Sequence, residues 1–417
     1  MKKKYIPWLI FLLSFYIVII FTNTFLTSAN EASRIGTIIS LEKTESFKLG
    51  QYKEYTWDII KYKEDLFSSK PPVFSWLAFQ IKRLIPADFP INPMQSSTAF
   101  YLLTVFTGGL SYSLLLVFFY KSLLLAKVNY RLSLLITTFL GLGTIILPFA
   151  TVFTNHLSAA LFLYLGFYFH IKDKIQKRNH KLNLILAGFF LTLSAVIEIA
   201  IAPFIWLLIF CYLIIKKDKA TLLFLLGSMP CLALHLYLNW QIVGDILPFY
   251  LHNELYPWLF YNPDYTGVGG KMLYLYILIL SPAKGFIFYN PLVIYCFYAI
   301  YQIIKKRLEF FIESVGLLIS LMISIIIWLF FTYDSSGSSY GLRWAIPYLP
   351  IFFFFLAVYL NDKKIKNNNL FNIACIITIM VALVGVVDPW TSGVNIDGIF
   401  IRFPLLTNLI ILKNIFF

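Results

Sequence analysis

The sequence predicts an all-α polytopic membrane protein, and three observations carry that expectation. The 417 residues are 59% hydrophobic and only 13% charged, with a mean hydropathy of +0.78. A soluble domain is nearer half apolar and a quarter charged. Apolar runs approaching the roughly 20 residues needed to cross a bilayer recur from one end of the chain to the other. The net charge of +14 is spread as short basic clusters between those runs, as in cytoplasmic loops. This distribution excludes nucleic acid as the partner of the basic charge.

The first apolar run covers residues 5–25 behind Lys2, Lys3 and Lys4. A signal peptide starts similarly, and Thr27-Ser28-Ala29 resembles a cleavage site. The run exceeds a usual signal core, so an uncleaved first helix is expected. Further spans are expected at 98–120, 132–151, 157–171, 182–197, 199–215, 220–242, 286–303, 309–331, 344–360 and 369–387. Shorter apolar pieces lie at 272–280 and 405–417, so the expected total is about 11–13 membrane segments.

With a cytoplasmic N-terminus, every strong basic cluster falls on the same side: Lys121, Lys127 and Arg131; Lys172, Lys174, Lys177, Arg178 and Lys181; Lys216, Lys217 and Lys219; Lys305, Lys306 and Arg307; Lys363, Lys364 and Lys366. A wrong count would scatter them. The outer side then receives loops 25–97, 151–156, 244–271, 332–343 and 388–404. Loop 25–97 alone holds eight of the 20 acidic residues, among them Glu31, Asp58 and Glu64. The four cysteines lie in apolar runs without a CxxC pair, and the five histidines show no metal-ligand spacing. Neither a disulfide framework nor a zinc site is expected. No internal repeat is visible.

Five polar groups on the outer side can carry chemistry. Glu31-Ala32-Ser33-Arg34 opens the long loop, and the mixed apolar pattern after it predicts an interfacial amphipathic helix over 31–42. Glu31 and Arg34 lie one turn apart, as an exposed ion pair or as a general base with its partner. Ser68-Ser69-Lys70-Pro71-Pro72 holds Lys70 just ahead of an apolar helix expected over 73–84. Lys70 can meet a lipid phosphate as a point charge or simply snorkel to headgroups. The segment 334–344, small and turn-forming, delivers Arg343 to the mouth of a helix, against the positive-inside bias. Arginine suits multidentate phosphate recognition. Glu198 sits between two apolar runs, where a carboxylate is a functional candidate by default, and Asn155-His156 sits at another outer turn. His156 either orients a sugar hydroxyl or caps a helix.

Together these motifs resemble the GT-C class of integral membrane glycosyltransferases, nearest to the protein O-mannosyltransferases and the lipid A aminoarabinose transferase. The resemblance runs over residues 5–360. It rests on Glu31-Ala32-Ser33-Arg34 against an Asp-Glu-x-Arg pattern, on Lys70-Pro71-Pro72, Asn155-His156, Glu198 and Ser281-Pro282-Ala283-Lys284-Gly285, and on Tyr340-Gly341-Leu342-Arg343. It implies a GT-C-like bundle over 1–360, including outer loop 25–97, followed by C-terminal membrane segments over 361–417. It also implies transfer of a sugar, with inversion, from a polyprenyl-phosphate donor to a lipid, glycan or protein hydroxyl on the outer face of a plasma or inner membrane. Glu31 takes the place of the catalytic base, and Lys70 and Arg343 that of the phosphate ligands. Arg34, Asp58, His156, Glu198 and Tyr340 support them. Ala32 stands where the pattern has a second acid, which weakens metal binding without removing a divalent cation from consideration; no other cofactor is implied. The alternatives are a transporter or flippase of lipid-linked glycans, which usually shows repeated halves, and a noncatalytic lipid-binding relative.

Overall fold

The computed structural model describes residues 3–90, 92, 94–176, 181–199, 202–215, 220–248, 252, 266–332, 336–362, 369–396 and 398–416. Helix α1 (Ile6–Phe21) leads into the long loop over 25–97, which folds as α2 (Ala29–Thr44), a β-hairpin of β1 (Ile59–Tyr62) and β2 (Asp65–Ser68), and α3 (Pro72–Lys82). Then come α4 (Thr98–Thr104) and α5 (Leu110–Leu125), joined through a π turn at Val105–Gly109 into one 28-residue rod. α6 (Tyr130–Leu142), α7 (Ile146–Ala150), α8 (Asn155–Gln176), α9 (Lys181–Ile197), α10 (Ala202–Ile215) and α11 (Ala220–Val243) follow. The second half holds α12 (Gly267–Ile279), α13 (Phe286–Tyr289), α14 (Val293–Lys305) and α15 (Phe311–Phe331). A 3-10 turn (Arg343–Tyr348) then leads into α16 (Leu349–Asp362), before α17 (Asn369–Gly385), β3 (Val394–Ile396), β4 (Ile399–Ile401) and α18 (Pro404–Phe416).

Among the described residues, four helical stretches have the length and composition to cross a membrane: Thr98–Leu125, Ala220–Val243, Phe311–Phe331 and Arg343–Asn361. Eight more apolar helices run 10–17 residues. The all-α membrane architecture expected from the sequence is therefore the one observed. Several basic-cluster residues (Lys177, Arg178, Lys216, Lys217, Lys219, Lys363, Lys364 and Lys366), most of 244–271, and Asp334 with Ser335 lie outside the described residues.

Two expected spans are broken. Residues 132–151 divide at Gly143, and 286–303 divide at Pro291, which cannot continue a helix from α13. The breaks answer one another: the buried Asn290 side chain accepts from the Ile145 N–H (3.1 Å) and donates to Phe286 O (2.9 Å). A freed backbone donor inside apolar surroundings needs such a partner.

Elsewhere the helices pack through small residues. α9 lies against both α8 and α11. A Cβ added to Gly188 would stand 2.0 Å from Phe224 O, and one on Gly227 would stand 2.0 Å from Ile185 O. These backbones touch because neither residue has a side chain, the usual device for close helix contact in lipid.

The long loop has its own core. Ala32, Ile35, Ile38 and Ile39 of α2 pack with Val73, Phe74 and Ala78 of α3, Phe67 of the hairpin, and the ends of α9 and α11 at Ile197, Leu238 and Ile242. The amphipathic helix expected over 31–42 is α2, and every residue from Asn30 to Leu41 is buried. The hairpin and α3 cover the face that would otherwise meet headgroups.

Candidate active site

The site begins with a helix cap. Ser28 is the N-cap of α2, its hydroxyl accepting from the Glu31 N–H at 3.2 Å. Glu31 closes a capping box: its Oε2 accepts from Thr27 N (2.8 Å) and Ser28 N (3.1 Å), with the Thr27 and Ser28 hydroxyls at 3.2 and 3.4 Å. The other oxygen, Oε1, accepts from Phe153 N at 3.0 Å. The carboxyl is fully buried. Burial pushes its pKa up to about 7, against the opposing pull of the Thr27 and Phe153 N–H groups and of the Trp390 indole.

Arg34 turns away from this carboxylate. Its Nη1 donates to the Asn30 side chain, its Nη2 donates to Asn155 Oδ1 at 2.7 Å, and its guanidinium lies over the Phe74 ring at 5.7 Å. The expected Glu31–Arg34 pair does not form. The cap bends Glu31 back along the chain, and the influence of its charge on Arg34 ranks behind those of Glu198 and Asp58. Arg34 is instead the first member of a buried polar line. Asn155 Nδ2 donates to Glu198 Oε2 (3.0 Å) and to Ile197 O (2.9 Å). His156 Nδ1 meets the same Glu198 oxygen at 2.5 Å. The line ties α2 to the first turn of α8 and the end of α9. Burial lowers the Arg34 pKa to about 10.

Lys70 arrives through the hairpin. Ile59 pairs with Ser68, and Ser69 N donates to Asp58 O at 3.0 Å, so the residues flanking the two strands meet. Lys70 Nζ lies 2.9 Å from Asp58 Oδ2. Ser33 of α2 fastens the hairpin, its hydroxyl contacting Asp58 O (2.7 Å) and Ser68 Oγ (2.6 Å). Burial lowers the Lys70 pKa, Asp58 opposes that, and the charges of Arg34 and Arg343 add to the lowering. Arg343 acts electrostatically on Arg34 as well. The three cations thus share one neighbourhood, although they are distant in sequence.

Arg343 opens the 3-10 turn before α16. Gly341 precedes it with φ +77°, and a Cβ there would stand 2.9 Å from the Tyr289 ring, so only glycine fits the turn. The Arg343 guanidinium lies 4.8 Å from the Trp390 ring centroid. Trp390 also packs edge-on against Phe149, which in turn meets His156. Trp390 touches both the Arg343 guanidinium and the Glu31 environment, and it escaped the sequence reading. Its only signal in the sequence is an aromatic after Asp388-Pro389, in the loop 388–404 between C-terminal segments. Tyr340 stands apart from the polar groups. Its hydroxyl donates to Val381 O at 2.6 Å and its ring packs on Tyr289, so it braces the turn. Among the described residues, no group of three or more His, Cys, Asp or Glu side chains is placed to hold a metal ion.

No family profile matches this chain, and no curated protein matches it by sequence. Its structure is similar to a crystal structure of ArnT from Cupriavidus metallidurans bound to undecaprenyl phosphate. The TM-score is 0.52 at 11% identity, over 93% of this chain and 71% of that one. At that identity the likeness establishes a shared fold, a polytopic helical architecture.

Proposed function

We propose that this chain is a membrane glycosyltransferase that moves a sugar from a polyprenyl-phosphate carrier to an acceptor hydroxyl on the outer face, with inversion. The observation that carries the reading is the gathering of one buried carboxyl with raised pKa and three cations around the first outer loop. The fold likeness to a protein that binds undecaprenyl phosphate supports the donor class. The sequence shows no internal repeat of the kind transporters often carry.

In this mechanism the acceptor O–H loses its proton to Glu31 as its oxygen attacks the anomeric carbon. The bond from that carbon to the phosphate oxygen breaks, and its electron pair leaves with the polyprenyl phosphate. Lys70 and Arg343 meet the charge that develops there. Oε1 of Glu31 is the receiving atom, because Oε2 is occupied by the cap while Oε1 accepts a single backbone bond. A base with pKa near 7 is matched to neutral pH. Arg34, Asn155, Glu198 and His156 form the buried polar line that ties α2 to α8 and α9, and Asp58 aims Lys70.

The capping box favours a second reading, in which Glu31 is structural and the protein binds lipid without transferring sugar. Membranes from a deletion strain carrying wild type or Glu31→Gln, supplied with total polyprenyl-phosphate sugars, separate the two. Glutamine is also accepted at this cap position. Transfer lost with the protein still folded supports the base. Equal transfer in both sinks it.

A further inference from the structure

The segment 281–285 matched the family pattern but found no role in the mechanism above. Its lysine is one of the few buried cations among the described residues, with 5% of its surface exposed. Ser281 O accepts from Gly285 N at 2.7 Å, and Ser281 Oγ accepts from Ala283 N at 3.0 Å. This tight turn aims Lys284 at the loop that ends in Arg343. Lys284 Nζ donates to Gly337 O, to Ser339 O (2.8 Å) and to Ser339 Oγ (3.0 Å). An ammonium has three donors, and three oxygens of one short loop receive them.

The loop is shaped for that ion. Ser336, Gly337 and Gly341 all have positive φ, at 75°, 61° and 77°. Left-handed residues so close together curl the chain and turn carbonyls inward, and at Ser336 the conformation is strained for a residue with a side chain. Ser339 Oγ also bonds Gly341 O at 3.0 Å, and Arg343 N donates to Gly341 O at 3.0 Å. A continuous path of hydrogen bonds therefore runs from the ammonium to the backbone of Arg343. On its far side the same loop is pinned where Tyr340 N donates to Pro389 O at 2.8 Å, one residue before the tryptophan that stacks on Arg343.

We propose that Lys284 is a positioning residue for donor-phosphate binding: its ammonium holds the 336–341 loop in its curled form and so presents Arg343 at a fixed place. The proposal rests on the reading of Arg343 as a phosphate ligand. Lys284 touches no substrate. Without it, the inward carbonyls lose their donor in a buried setting, the loop relaxes, and Arg343 moves. Displacing a binding group by about 1 Å can cost on the order of a hundredfold.

The test is binding of undecaprenyl phosphate by the full chain in nanodiscs, for wild type, Lys284→Met, Arg343→Ala and the double variant. Lys284→Met keeps the length and removes the charge. The expected result is a Kd raised on the order of 10- to 100-fold in Lys284→Met. A comparable rise is expected in Arg343→Ala, with the double variant no weaker than Arg343→Ala alone, because Lys284 acts through Arg343. Wild-type binding by folded Lys284→Met, or additive losses in the double variant, overturns the proposal. Should Lys284→Met not fold, Ser339→Ala decides. It removes one of the three oxygens, and its loss of binding must vanish in the Arg343→Ala background; unchanged binding overturns the proposal. Wild-type binding by Arg343→Ala sinks the donor-site reading itself, a result distinct from failure of Lys284 alone.

Discussion

At the scale of single residues, Glu31 joins two roles that usually exclude one another. A capping carboxylate is normally ionised and half-exposed, whereas this one is fully enclosed and titrates near 7. If it is the base, kcat/KM rises with pH through about 7 and levels off above it, because the base form is lost as pH falls through the raised pKa. Glu31→Gln lowers turnover by roughly a hundredfold or more and removes that limb, while undecaprenyl phosphate still binds. Stability carries a linked signature. The pKa rises from 4.5 to about 7 on folding, so the folded state holds the proton more tightly. Stability is therefore fullest below about 4.5 and declines as pH rises to about 7. Chemical denaturation between those limits checks it, and the slope should flatten in Glu31→Gln. Arg343→Lys should restore only part of the binding lost in Arg343→Ala. The ammonium keeps the charge but loses the planar fork and the stacking on Trp390.

At the scale of elements, the hairpin and the helix crossings make separable predictions. The β1–β2 pairing brings Asp58 to Lys70, and Ser33 locks the pair to α2. Asp58→Asn should leave the fold intact, free the Lys70 side chain, and weaken undecaprenyl phosphate binding several-fold, short of the loss in Lys70→Ala. Equal binding in Asp58→Asn and wild type would remove Asp58 from the site. The α9–α11 crossing depends on Gly188 and Gly227. Gly188→Ala should lower thermal stability, by about 1–3 kcal/mol as overpacking usually costs, without altering the pH profile of whatever transfer survives. A thermal scan in detergent checks it. Lys174 of α8, 2.7 Å from both carboxylate oxygens of Glu313 on α15, is a third such contact, remote in sequence from the motifs above.

At the scale of the whole molecule, the outer-face placement rests on basic clusters and has a direct test. In intact cells an impermeant thiol reagent should label cysteines placed at the exposed positions Lys53 and Ser338, but not one at exposed Lys121. The reverse pattern would move the candidate site to the cytoplasm. The sequence by itself determined the helical membrane class and the places of most apolar helices, though not the breaks inside 132–151 and 286–303. Apolar runs and charge clusters are local properties that need no partner to be read. It also marked Glu31, Lys70, Arg343, Asn155 and Glu198 as candidates, since polar groups beside apolar spans stand out by contrast. What only the tertiary structure decided is who meets whom. The two hairpins were invisible because strands of three or four residues carry too short a pattern. The breaks at Gly143 and Pro291 make sense only once Asn290 is seen to bridge them. The expected Glu31–Arg34 pair gave way to a cap and to the Arg34–Asn155–Glu198–His156 line, because helical spacing fixes which residues can meet while burial fixes which must. Trp390 entered the site from a segment the motifs did not cover, since a stacking contact leaves no spacing in the chain. Each of these depends on desolvation, which is a property of the packed molecule and of no residue alone.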